Sequence, residues 1–218
     1  MRILVFSIFT FYSTFLLKAQ SNLKITDYYN NPSSYNPAYI GATEGLFLKG
    51  YYTSQWTEFE GSPSTQMFDF QNNFDNRNIA AGISLLNDTF GSLKSLNAEA
   101  NFSLNFKSSQ DISFSLGLKA GINSFSTDYQ GLNILDRSEP IFNENISKII
   151  PLIGIGFYTH GNDWFLGISS PNIIQNKVST ESDEVLFKNT NQYFTTFGYN
   201  FYLGDLLFKN QFLAQIIE

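Results

Sequence analysis

The sequence predicts an all-β protein, an antiparallel transmembrane β-barrel of the outer-membrane kind, and three observations lead there. Two adjoining stretches, Leu96 to Lys107 and Ile112 to Asn123, alternate apolar and polar residues with strict period two. The chain is 17% aromatic and only 15% charged, with a mean hydropathy of −0.13. Alternating lipid-facing and lumen-facing residues average to such a balance. The first residues read as an export signal, which delivers a barrel to the compartment where such folds are inserted.

That signal is MRILVFSIFTFYSTFLLKAQ. Arg2 gives a positive start, Ile3 to Leu17 an apolar run, and Lys18-Ala19-Gln20 its end. The run is shorter than the roughly 20 residues of a membrane-spanning helix, which weighs against an uncleaved anchor. Ala19 is small enough to precede a cleavage site, although Leu17 is larger than the usual residue two places earlier. The expected organisation is therefore a signal peptide over 1–19, an extended N-terminal segment over 20–44, and a partial barrel domain over 45–218. Between Tyr28 and Tyr39 the aromatics suit either a docking strip for a partner or a plug folded back into the barrel. Asn36 precedes proline and so favours extended backbone, and Gly41 permits a sharp turn into the first strand.

The strands follow in order. On the first strong one Leu96, Ala98, Ala100, Phe102, Leu104 and Phe106 share a face. Asn97, Glu99, Asn101, Ser103, Asn105 and Lys107 share the other. A turn at Ser108-Ser109-Gln110-Asp111 leads to Ile112, Phe114, Leu116, Leu118, Ala120 and Ile122, again interleaved with small or polar residues. Weaker alternation marks strands over Gly45–Trp56, Ser64–Phe74, Asn78–Leu86, Lys148–Thr159, Asp163–Ser169, Gln192–Leu203 and Asp205–Ile217. Gly61-Ser62-Pro63, Gly161-Asn162-Asp163 and Gly204-Asp205 are turns, and Asp128–Ser147 and Pro171–Asn191 are long loops. Short turns alternating with long loops is barrel architecture. A soluble β-sandwich also alternates, but its strands are usually shorter. Aromatics gather near strand ends here (Tyr51, Tyr52, Trp56; Phe157, Tyr158, Trp164), as interfacial girdles do. Nine strands result, an odd number where bacterial barrels use even ones. Ile216-Ile217-Glu218 also lacks the final aromatic common to outer-membrane strands, so the barrel is read as incomplete and the chain as a truncated copy.

Without Arg2 and Lys18 the chain has 11 basic and 19 acidic side chains, a net charge near −8. That excludes nucleic acid as a natural partner. There is no cysteine, so neither disulfides nor a thiolate metal site contributes. His160 is the only histidine; it reads as a turn residue beside Gly161, and no G-x-S-x-G elbow accompanies it. Asp136, Glu139 and Glu144 share one loop that is more simply solvated than calcium-binding. Gly154-Ile155-Gly156 lacks the third glycine of a phosphate-binding turn. No catalytic, cofactor or metal residues are expected, and the chain is not read as an enzyme. Gly117, Gly121, Gly154 and Gly156 mark strand curvature or the approach of a plug, with curvature the commoner use. The lumen-facing polar groups Asn97, Glu99, Asn101, Asn105, Lys107 and Lys119 also permit a porin-like channel.

Several motifs resemble the PorP/SprF family. The run Asn36-Pro37-Ala38-Tyr39-Ile40-Gly41 is similar to that family's NPAYAG, with Ile40 in place of alanine. Tyr52-Thr53-Ser54-Gln55-Trp56 is similar to its YRSQW, with Thr53 in place of arginine. Phe59-Glu60-Gly61-Ser62-Pro63-Ser64-Thr65-Gln66 looks like F-x-G-x-P-x-T-Q, and Gly82 to Asp88 with Phe90-Gly91 like the strand and turn that follow. Gly117-Leu118-Lys119-Ala120-Gly121-Ile122-Asn123 matches GLKAG-x-N, and Pro151 with Gly154–Tyr158, then Gly167–Pro171, continue the order. The resemblance covers about residues 27–203. It implies an outer-membrane protein tied to type IX secretion and, in gliding bacteria, to the exported surface adhesin. The role it implies is assisting export or surface retention of a cargo, with secretion components, the cargo or adhesin, and outer-membrane lipid as partners. Asn36, Pro37, Ala38, Tyr39, Gly41, Ser54, Gln55, Trp56, Gly61, Pro63, Gly117, Lys119 and Gly121 are the motif residues expected to serve structure or partner binding.

Overall fold

The computed structural model describes residues 30–59, 61–74, 77–108, 111–129, 145–179, 185–204 and 206–217. The expected signal peptide, Tyr28, Tyr29 and the loop acids Asp136, Glu139 and Glu144 lie outside the described residues.

Alternation becomes one open antiparallel sheet of nine strands, each paired with its neighbour along the chain. These are β1 (Leu46–Ser54), β2 (Ser64–Phe74), β3 (Ile79–Phe90), β4 (Leu93–Lys107), β5 (Ser113–Thr127), β6 (Ser147–His160), β7 (Trp164–Ser170), β10 (Gln192–Leu203) and β11 (Leu206–Ile217). Two short strands, β8 (Asn176–Ser179) and β9 (Val185–Asn189), pair with each other. They lie in the stretch expected to be a plain loop. No helix among the described residues is long and apolar enough to cross a membrane, which has no bearing on strands.

Several strands outrun the apolar alternation. β3 continues from Leu86 to Phe90, with Thr65 donating to Asp88 Oδ1 at 2.5 Å. β5 continues to Thr127 and β4 begins at Leu93. Backbone pairing there persists where side-chain hydrophobicity no longer alternates. His160 closes β6, half-buried with its ring 6.1 Å from that of Tyr158. It is therefore a strand residue, where a turn was expected.

Burial is inverted relative to a soluble domain. Leu116, Leu118 and Ile155 are about half exposed, whereas Asp69 and Ser103 are 0% and Lys119 1% exposed. A sandwich would cover the apolar face with a second sheet; among the described residues only β8 and β9 form another sheet. The covered face is the polar one, and what covers it is the chain's own N-terminal segment. The stretch expected to be extended instead contains a short helix α1 (Pro32–Tyr35) and a 3-10 helix over Pro37–Ala42. Both begin with proline, whose fixed φ suits a first helical position. Asn36 between them is extended (φ −130°, ψ 102°), as a residue before proline prefers. Gly41 lies within the 3-10 helix, and the positive φ at the entry to β1 belongs to Gly45 (+61°). This segment touches β2, β5, β6 and β10 at once. The sheet therefore wraps around it as the curved wall of an incomplete barrel.

Candidate functional site

The site grows from the plug's backbone and the small residues beneath it. A Cβ on Gly117 would collide with the backbone of Pro37 and Ala38. One on Gly156 would strike the Asn36 side chain, and one on Gly167 would meet Asn36 Nδ2 and Thr196. Three neighbouring strands thus leave a notch that only glycine can leave, and the Asn36–Ala38 backbone fills it. Asn36 is fixed at both ends: its Oδ1 accepts from Ala38 N at 3.0 Å, and its Nδ2 donates to Phe157 O at 3.0 Å.

Polar groups on the wall hold the rest of the segment. Lys119 donates to Ser34 O at 2.8 Å and pairs with Glu99 at 2.6 Å. Gln71 donates to Ser33 Oγ at 2.8 Å, and Asn73 donates to Gly41 O and Thr43 O at 2.9 and 2.7 Å. Buried polar groups are stable only when so satisfied. Beside the plug, a cavity of about 340 Å³ is lined by Tyr35, Tyr39, Tyr158, Phe165, Asn200 and Gln211, among others. Tyr39 meets Tyr158 edge to face at 5.4 Å.

Twelve of the thirteen motif residues thus fall into two groups. Asn36, Pro37, Ala38, Tyr39, Gly41, Gly117 and Lys119 come together at the plug seat, and of the two open readings for the N-terminal aromatics the buried Tyr35 (1% exposed) takes the plug. Gly121 does not join them; a Cβ there would meet Ala98 O and Glu99 on β4. Ser54, Gln55, Trp56, Gly61 and Pro63 cluster separately, in the connection from β1 to β2. Gln55 N donates to Pro63 O at 3.0 Å, and Gly91 N donates to Gly61 O at 2.8 Å. Gly61 has φ +76°, natural for glycine, but Trp56 holds φ +54°, which is uncommon for a bulky residue. Asn97, Glu99, Asn101, Asn105 and Lys119 lie on the plug side of the wall, whereas Lys107 ends β4 exposed. Gly156, one of the glycines read as curvature or plug approach, completes the notch with Gly167, to which sequence reasoning gave no such role. Gly154, read beside them, faces Pro171 O instead.

The outer face has its own pattern. Across the register, Leu48, Phe70, Ile83, Ala100, Ala120 and Ile153 form one continuous apolar row. Ser54, Ser64, Thr89, Lys94, Ser126 and Ser147 form another, all hydroxyl except the lysine. The apolar band therefore stops at a sharp polar belt beside the long connections. Beyond β7, Phe201 stacks on Phe208 at 5.1 Å where β10 pairs with β11.

No group of three or more His, Cys, Asp or Glu side chains among the described residues is arranged to hold a metal ion. Comparison with known proteins agrees with the inverted wall. No curated protein and no solved structure matches the chain. One family model, described as type IX secretion system membrane protein PorP/SprF, matches residues 17–218. That match spans nearly the whole sequence, and the chain belongs to the PorP/SprF family of type IX secretion system membrane proteins.

Proposed function

We propose that this protein is a non-catalytic outer-membrane barrel that assists type IX secretion by helping to export a cargo protein or retain it at the cell surface. Residues 1–19 act as a cleaved signal peptide and 45–218 as barrel wall around the segment before them. The apolar band faces lipid. The observation that carries the reading is the plug: the polar wall that a channel would keep open is filled by Asn36–Ala38 seated against Gly117 and Gly156. In this reading the motif residues around Trp56, on the rim connection, meet secretion components or the cargo, which in gliding cells is a surface adhesin.

The test is mass spectrometry of surface and secreted proteins in cells with and without the gene. Selective loss of one large exported protein, or a few, is the expected result. An unchanged surface proteome would remove the secretion role. The polar wall also favours a second reading, a porin-like channel. Conductance of the purified protein in planar bilayers separates the two, being negligible for a plugged accessory protein and substantial for a channel.

A further inference from the structure

Beneath the plug, one patch of inner wall brings buried polar side chains together. Register places Gln71 opposite Gly82 and Gly82 opposite Asn101, so no side chain separates the two amides. In the next row Asp69 lies opposite Ser84. Asp69, Gln71 and Asn101 are all buried, at 0%, 2% and 3% exposure.

Each donor nearby already has another partner. Ser84 donates its hydroxyl proton to Asp69 Oδ1, and Asn101 Nδ2 reaches Ser84 Oγ at 3.4 Å. Gln71 Nε2 is bound to Ser33 Oγ, and Lys119 to Glu99 and Ser34 O. Lys49 lies opposite Asp69 in the register, but its ammonium donates to Asn30 O at 2.8 Å. Three buried oxygens are left with no hydrogen-bond partner: Asp69 Oδ2, Gln71 Oε1 and Asn101 Oδ1. Exchanging the oxygen and nitrogen of Asn101 leaves its oxygen unpaired in the new position too, because Ser84 has already spent its one proton on Asp69. Buried acceptors of this kind need a partner.

A carboxylate and two amide carbonyls are all-oxygen ligands, the set that hard cations prefer and soft metals do not. We propose that Asp69, Gln71 and Asn101 bind a hard cation, of the calcium or sodium class, between the wall and the plug. Gln71 also holds Ser33, so the bound cation braces the N-terminal segment. The inference depends on the inner wall alone and stands or falls separately from the secretion role.

The test uses the full chain, purified in detergent and stripped with chelator, with thermal unfolding followed by circular dichroism. Calcium chloride and sodium chloride are titrated in separate arms against choline chloride at matched ionic strength. The expected result is a saturable rise in Tm with calcium or sodium and none with choline. Asp69→Asn should weaken the apparent affinity by roughly tenfold or more, since ligand charge sets it. Asn101→Asp should strengthen it, and it carries the test alone if Asp69→Asn does not fold. Equal Tm in all three salts overturns the proposal, because water then satisfies the three oxygens. So does a salt response that neither substitution changes, which places the cation elsewhere.

Discussion

At the scale of single residues, the plug seat depends on atoms that are missing as much as on those present. Gly117→Val would place carbon inside the Pro37–Ala38 backbone, and overpacking of this kind costs about 1–3 kcal/mol. The strain falls on plug contacts, so limited proteolysis should cut near residues 30–43 sooner while the barrel core stays resistant. Gly50→Ala is the control: its Cβ would lie 3.7 Å from Met67 O, an ordinary contact, and the melting temperature should hardly move. Lys119 makes a second residue-scale case. With Lys119 at 1% and Glu99 at 16% exposure, Lys119→Met leaves a largely buried carboxylate unanswered, at about 3–5 kcal/mol. Adding Glu99→Gln should recover much of that loss in chemical denaturation, because the orphaned charge is then gone. If the double variant is no more stable than the single one, Lys119 acts through Ser34 and not through the ion pair. The sequence marked Gly117 and Lys119 as motif positions, and Gly117 as a place of strand curvature or plug approach, without showing which residues meet them. The contact joins residues far apart in the chain, and period-two alternation carries no information about what fills the concave side.

At the scale of elements, period two was legible because each strand meets two different solvents. Leu96 to Phe106 alternates for as long as β4 crosses the apolar band, and the expected β2 and β10 match the observed Ser64–Phe74 and Gln192–Leu203. Strand ends were less legible for the same reason. Asn87, Asp88 and Thr89 break the hydrophobic alternation yet stay paired with Gln66, Thr65 and Ser64, since the ladder extends past the boundary that the side chains report. The strands β8 and β9 form a separate two-stranded sheet and carried no signal. The band itself predicts where a charge is tolerated. Leu118 projects from the middle of the β5 apolar run, between Phe114 and Ile122, and is 51% exposed. Leu118→Arg should cost about 2–4 kcal/mol of insertion free energy, as at a bilayer midplane. Ser126→Arg lies on the hydroxyl belt and should cost about 0–1 kcal/mol. Heat-modifiable gel mobility after refolding into vesicles reads the difference. Equal folding of the two variants would show that the outward face does not meet lipid.

At the scale of the whole molecule, the connections sort into two ends. Residues 75–78, 108–112, 161–163 and 204–205 link strands at one rim, all of them short. Residues 55–63, 91–92, 128–146 and 171–191 link them at the other, which holds every long connection. The hydroxyl belt lies beside that second rim, and a small apolar cluster of Phe125 and Ile150 packs with Leu93 and Ile146 on its inner side. Outer-membrane barrels keep short turns in the periplasm and long loops outside. The rim bearing Trp56 should therefore face the exterior, where a cargo arrives, and the rim bearing Asn162 the periplasm. The chain has no cysteine, so single substitutions can be labelled without background. In intact cells a membrane-impermeant maleimide should modify Ser62→Cys and Ser92→Cys. Asn162→Cys and Asp111→Cys, paired across the short-turn rim at 3.2 Å in the native chain, should react only after permeabilisation. The reverse pattern would turn the molecule over and place Trp56 among periplasmic partners. Equal labelling of all four positions in intact cells would mean that the sheet does not separate two compartments, and the membrane assignment of the apolar band would fall with it.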